Sequence, residues 1–438
     1  MSTEDKNVTV CPERADVGGE DRISGVSSAA DIRHNLIVLV LIDCIWVFGA
    51  AEMLLAAGPL YVYLHASNTL IGLIGSSQIL GLLGVFLSPF ITRRFPVKKL
   101  YLLIVHVPYI GPWGIIGIGL ILSRRLGLSN EWLLGFVVAM NCVSGFFAGF
   151  VTLPHQEYVA ACVPMSHRGR LNGYSNATGS GLALISNALA GWILLTMAKP
   201  MAFGWLYVMT WLICQGGYVL ALLGREQRTP VERAPKPWSK EMVLSALRDK
   251  PYMRVIAVYT IYVIFFMPVV WMFLAIYGFR DLKMIAATAA ALGITQKIAT
   301  LLTSSHIGHL IDKFSAKRIL LYLPFAFIAT IVPVIVWRSP CAVYASTALG
   351  VVLSVGFQAA FCALLYGMPT PEHRAGHYTF QILAYYASYA IGQVFVGFMC
   401  DKLDYRPAFI VLGVLALIMI PVSRLMLAPL SERHQDYS

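Results

Sequence analysis

Lys297 stands near the middle of an apolar run extending from about Ile285 to Leu310. An ammonium at hydrocarbon depth costs at least roughly 2.5–3.5 kcal/mol, so it calls for a partner or a water-filled cavity and marks a solute or ion pathway. Glu52 lies at a matching depth in the first apolar run, each residue being about 12 positions from one end of its run. A Glu52–Lys297 pair would be neutral at rest and could be broken by a solute or a proton. Glu52 is then the candidate proton acceptor, because burial raises a carboxylate's pKa and a neighbouring lysine lowers it. A static ion pair or snorkelling is the alternative. Asp43 precedes Glu52 by nine positions, which at ~100° per residue places it on the opposite face of a straight helix. It is expected to contact a neighbouring helix, with a coupling role as the alternative.

Neutral polar residues add a second layer. Tyr378, Gln381, Tyr385, Tyr389 and Gln393 recur at spacings of three and four, with Tyr386 beside them. They form a polar-aromatic stripe on one helix face, suited either to a cavity wall or to helix packing. Gln78 and Gln358, with Asn141, Asn176 and Asn187, supply further hydrogen-bonding groups within apolar runs. His155, Gln156 and Glu157 follow Pro154 and either form part of an inner gate with Arg168 or simply sit at the interface; His106 and His306 read as hydrogen-bonded packing residues, with titration near neutrality as the alternative. No phosphate-binding G-x-x-x-x-G-K-[ST] loop and no H-E-x-x-H metal motif occur. The eight cysteines are scattered without C-x-x-C spacing. The expectation is a non-enzyme with no cofactor and no metal.

The elements that must hold these residues are membrane helices. The chain is 58% apolar and 13% charged, with a mean hydropathy of +0.70 over 438 residues, against roughly 25% charged in soluble domains. Twelve runs approach or exceed the ~20 residues that span a bilayer. The net charge of +11 could suggest nucleic acid, but the basic residues gather in alternate loops. Arg93, Arg94, Lys98 and Lys99 share one such loop, Lys313, Lys317 and Arg318 another, and the Gly224–Pro251 stretch is the richest. By the positive-inside rule, both termini are cytoplasmic. The expected organisation is a disordered tail over residues 1–35, six helices over 36–223, a linker over 224–251, six helices over 252–427 and a tail over 428–438. Within the linker, Glu241–Leu247 reads either as an amphipathic surface stretch or as an ordinary loop.

An internal repeat supports two halves. An offset of 206 maps His167-Arg168 onto His373-Arg374, Asn187 onto Gln393, Gly191 onto Gly397 and Ala202-Phe203 onto Ala408-Phe409; an offset of 219 maps Arg94-Phe95 onto Lys313-Phe314 and Gln78 onto Lys297. With six spans each, the copies enter the membrane in the same orientation, giving a parallel repeat.

Gly308-His-Leu-Ile-Asp312-Lys313-Phe-Ser-Ala-Lys317-Arg318 resembles the G-x-L-x-D-[RK]-x-x-x-[RK]-[RK] loop of the major facilitator superfamily. Together with twelve spans, a basic linker and a parallel repeat, the resemblance extends over the chain beyond about residue 33. It implies an all-α membrane protein of twelve transmembrane helices. It also implies a conformational-switch network at Gly308, Asp312, Lys313, Lys317 and Arg318, with Arg168 and Arg374 in the equivalent loops. The first-half loop departs from the family pattern, with Arg93 where Asp is usual and Pro96 where Gly is frequent, so its switch is expected to be altered or lost. The fifth helix lacks the Gly-Pro signature of drug–proton antiporters. The expectation is a monomeric secondary transporter in the plasma membrane, the inner membrane if the source is Gram-negative. Its partners are a small solute, protons and the bilayer, without nucleic acid. A uniporter or a non-transporting sensor or assembly subunit is the alternative.

Overall fold

The computed structural model describes residues 28–92, 94–226, 240–368 and 374–428. Twelve helical segments follow in order: α1 (Ala29–Tyr63), α2 (Asn68–Thr92), α3 (Lys98–Leu122), α4 (Asn130–Cys162), α5 (Met165–Thr196), α6 (Met201–Leu223), α7 (Lys250–Arg280), α8 (Thr288–Phe314), α9 (Leu323–Val336), α10 (Pro340–Gly367), α11 (Arg374–Leu403) and α12 (Tyr405–Leu427). Ten segments contain windows long and apolar enough to cross a membrane; α8 carries more polar residues and α9 is short, preceded by the one-turn helix Ala316–Leu321. No strand occurs among the described residues. With an even number of crossings, α1 starts and α12 ends at the same face, hereafter the terminal face; the opposite one is the far face.

Local chemistry sets several helix ends. Ser28 and Asp31 form a capping box, with the Asp31 N–H donating to Ser28 Oγ at 3.1 Å, so α1 begins at Ala29, ahead of the expected boundary at residue 36. Residues 1–27 of the expected tail lie outside the described residues. Ser67, Ser129 and Ser339 cap α2, α4 and α10, and Asp249 caps α7. In the linker, residues 227–239 are outside the described part, and Lys240–Arg248 is a helix lying against α11 with Ala246 buried. Two irregular turns interrupt α-helical geometry: a 3₁₀ turn at Ser77–Leu80 in α2 and a π-turn at Val269–Phe273 after Pro268 in α7. Large apolar side chains on the outside, such as Ile104 at 61% and Leu195 at 66% exposure, are the surface lipid covers.

The first six helices and the last six pack as separate halves that meet along two seams, α2 with α11 and α5 with α8. At the far end of the first seam, a Cβ at Gly72 would overlap the Gln393 carbonyl, and one at Gly397 would overlap the Asn68 carbonyl. At the far end of the second, a Cβ at Gly191 would lie 2.6 Å from Ala290 Cβ and 3.9 Å from the Ala287 carbonyl. The seams are equivalent in chain terms: Gly191 and Gly397 differ by 206 positions, and their partners Ala287 and Asn68 by 219. These are the two offsets of the sequence repeat.

Further toward the terminal face, the second seam opens. Gly173 is 18 positions before Gly191, five full turns and about 27 Å along α5, so it shares Gly191's helix face. A Cβ there would meet nothing within 4 Å. On α8, Ala290 is buried and Ser304, four turns on, is exposed. A cleft therefore widens from the far end toward the terminal face. Exposed Asn172 and Asn176 on the adjoining surface of α5 fit a water-facing wall better than lipid, since an unpaired amide in hydrocarbon is costly.

Gly173→Ala is expected to be neutral or to raise thermal stability through about 0.5–1 kcal/mol of helix propensity. Gly72→Ala should lower it by forcing α2 from α11. Melting of the two purified variants checks this; equal shifts would contradict the tight-seam, open-cleft geometry.

Candidate functional site

The cleft is closed at the far face by a cluster that ties α11, α7 and the start of α12 to the N-terminus of α2. The Asp401 carboxylate accepts from the Asn68 N–H at 2.8 Å, the Thr69 N–H at 2.7 Å and the Thr69 hydroxyl at 2.6 Å. It caps α2 from the other half, where free amides and the helix dipole favour an anion. Arg280 donates to Asn68 Oδ1 at 2.9 Å and to the Ala66 carbonyl, and Tyr405 donates to Asn68 Oδ1. Nearby Asp281 sits outside the helices, and its partial burial raises its pKa. None of Arg280, Asp401, Asn68 and Tyr405 stands out in the sequence, since each lies at or beside a helix end, where polar residues are ordinary.

Lys297 occupies the apex of the cleft. It lies seven positions after Ala290 and so on the same face of α8, about 10 Å toward the terminal face from the closed seam. It is half-buried, and among the described residues no carboxylate lies within 4 Å of its ammonium. The Glu52 side chain lies outside the described ones, so the expected pair has no structural test. Asp43 is half-buried and accepts from Ser175 Oγ at 2.7 Å. Ser175 is 200° around α5 from Gly173, so Asp43 is engaged on the side of α5 turned from α8, matching its expected contact with a neighbouring helix. Gln78 lies exposed in the 3₁₀ turn of α2, and Gln358 is half-buried on α10, donating to Cys362 Sγ at 3.7 Å.

The α11 stripe divides into two environments. Tyr385 stacks on Tyr389 at 5.7 Å and on Tyr259 of α7 at 6.4 Å, all within the second half. Gln393 is fully buried in the α2 seam against Gly72 and Gly75, and Gln381 is buried too. Tyr386, seven positions before Gln393 and on its face, reaches the first half, with its hydroxyl 3.5 Å from Thr152 Oγ1 of α4. The halves are thus bridged both by Gln393 of the stripe and by Tyr386, one position away from it.

At the terminal face, Glu157 and Arg168 have other partners than each other. Glu157 Oε2 is 3.4 Å from Lys98 Nζ, and Arg168 donates to the Val163 carbonyl of its own loop. The Asp missing from the first-half loop is replaced by an acid distant in sequence: Glu226 accepts from the Lys98 N–H at 2.6 Å and the Lys99 N–H at 3.0 Å, capping α3. Burial raises the Glu226 pKa, and those two amides oppose the shift. In the second half, Lys317 donates to the Ala428 carbonyl at 3.1 Å, Lys313 lies over the Phe314 ring at 5.5 Å, and the Arg318 N–H is capped by Ser315. The side chains of Asp312 and Arg374 lie outside the described ones, and Gly308 falls within α8. His106 is buried and stacked on Tyr218 at 3.7 Å, with neither ring nitrogen hydrogen-bonded among the described residues, and His155 Nδ1 is 2.8 Å from the Tyr218 hydroxyl.

Two six-helix halves meeting along two seams around a cleft define a membrane protein of the major facilitator fold. The family model described as Major Facilitator Superfamily matches residues 285–436. Similar solved structures include a point mutant of the nucleoside transporter NupG (12% identity, 89% of this chain and 99% of that one, TM-score 0.67). They also include the E. coli xylose transporter XylE in a partially occluded inward-open conformation (14%, 92% and 98%, 0.67) and a POT family transporter in complex with 5-aminolevulinic acid (15%, 92% and 96%, 0.67). No curated protein matches in sequence. The chain has the major facilitator fold, and the stretch matched by that family's model lies within its second half.

Asp401→Ala should leave the α2 amides uncapped and remove charge-assisted bonds worth about 1.5–3 kcal/mol each, favouring a far-face-open state. In a Ser76→Cys, Cys341→Ser background, modification of Cys at the buried seam position by an impermeant maleimide should accelerate several-fold. An unchanged rate would show that the cluster does not hold the halves together.

Proposed function

We propose that the protein is a secondary active transporter that moves a small organic solute by alternating access, driven by a proton gradient. The observation that carries this reading is the contrast along one helix face: Gly191 is pressed against α8, while Gly173 faces open space. Together with the far-face cluster, this is a cleft closed at one end and accessible from the other, as rocking halves require. XylE, with a similar fold, was captured partially occluded and inward-open, which supports assigning the open end to the cytoplasmic side. The loop charges place the terminal face in the cytoplasm, and the plasma membrane is the assigned location. Glu52 is the assigned proton acceptor, while Asp312, Lys313, Lys317 and Arg318 act in the switch between states.

Proteoliposomes with an imposed pH gradient test the reading. Solute accumulation should follow the gradient, and Glu52→Gln should abolish that dependence while preserving solute exchange. Flux indifferent to pH would make the protein a uniporter, and no flux for any solute would favour a sensor or assembly subunit. A topology reporter at Pro235 should be cytoplasmic; an external reporter would reverse the assignment of faces.

A further inference from the structure

We infer that the solute is an organic monoanion whose carboxylate binds Lys297 at the cleft apex. This rests on the transport reading and adds the chemical class that the site selects. Lys297 is half-buried at bilayer depth with no acidic partner within 4 Å among the described residues. It follows Ala290 by two turns on the face that packs against α5, so it lies just below the closed seam where the cleft begins. An ammonium there with no acidic partner among the described residues is costly, and an anion arriving through the open end can supply one. Of the described first-half acids inside spanning helices, Asp43 accepts from Ser175 on another side of α5 and Glu157 pairs with Lys98. The equivalent seam carries neutral Gln78 at the position that the 219 offset relates to Lys297, so the asymmetry places one positive charge on one side of the cleft.

A single lysine matches a single negative charge. A phosphate monoester would bring about −1.5 to −2 and calls for more cations or bidentate arginine, and among the described residues no arginine lies within the central part of α8 or α5. Half-buried Tyr386, reaching Thr152 across the halves, and half-buried Tyr385 and Tyr389, stacked on each other and backed by buried Tyr259, offer aromatic surface in the second half for an apolar body. The class is therefore a carboxylate on an apolar or aromatic frame.

The test uses the full-length protein in nanodiscs and a matched set of probes: acetate, hexanoate, benzoate and 3-phenylpropionate, the corresponding amides, and phenethylamine. The larger carboxylates should give a saturable rise in melting temperature of at least about 2 °C, with amides and amine giving none. Lys297→Met should abolish the response and, without probe, melt no lower than wild type, because it removes an unpaired buried charge. Lys297→Arg should retain part of the response. Three outcomes would overturn the assignment: no carboxylate response in wild type, an equal response in Lys297→Met, or a destabilised Lys297→Met that adding Glu52→Gln restores, which identifies a structural ion pair. Counterflow of labelled 3-phenylpropionate separates the two readings. Binding without flux sinks transport and keeps the anion site, whereas flux of the amine with no carboxylate response keeps transport and sinks the anion site.

Discussion

Helix backbones can touch only where no Cβ stands between them, and the far-end contacts of Gly72, Gly397 and Gly191 fix the arrangement of the whole molecule. In a bilayer, apolar side chains gain little from leaving lipid for one another, so close van der Waals approach through small residues and interhelical hydrogen bonds must hold halves together. Gly397 lies on the Asn68 carbonyl, and that contact positions the Asn68 and Thr69 amides for the Asp401 carboxylate. The cleft follows from the same constraint, because helices joined at one end and splayed at the other leave space that widens with distance from the contact. Lys297 sits at the apex because it is two turns from the last residue in the seam.

What could be read from sequence follows from the range over which each signal acts. Hydropathy depends on runs of about 20 residues and locates the spans, but a helix end is set by one or two side chains. The Ser28–Asp31 capping box therefore extends α1 beyond the apolar run. The offsets of 206 and 219 are legible because duplicated segments keep their order, and the same offsets relate Gly191 with Ala287 to Gly397 with Asn68. Lys297 is legible because a charge in an apolar run stands out. Asp401 and Asn68 are not, since each lies at a helix end where polar residues are ordinary and 333 positions separate them. Glu226 escaped for a similar reason: its loop is polar throughout, and only the fold brings it onto α3.

The terminal-face loops show how the work of an absent motif residue can be taken up elsewhere. With Arg93 in place of an acid, the first-half loop reads as having an altered or lost charge network. In the structure, Lys98 and Lys99 are held by Glu157 and Glu226 together with the carbonyls of Thr92, Leu222 and Gly224. The need to satisfy the first amides of α3 remains when the motif acid is gone, and a carboxylate from the end of α6 meets it. A loop motif thus records one solution to a capping and charge problem, and a second solution can be written elsewhere in the chain.

The two seams are equivalent in descent but not in strength. The α2–α11 seam carries the ionic cap of Asp401 and the Arg280 and Tyr405 bonds to Asn68, whereas its counterpart closes on Gly191 against Ala290 and Ala287. If Lys297 holds the solute, binding acts on α8, a helix of the less polar seam. Pulling α8 toward α5 would narrow the terminal end of the cleft, and the same rocking must draw α11 away from α2 at the far face. The energy required for that second movement is concentrated in the Asp401 cluster. Solute charge and far-face cap then lie on different seams and are coupled only through the rigidity of the second half, in which α7 carries Tyr259 of the aromatic stack before its π-turn at Val269–Phe273 and Arg280 of the cap at its far end.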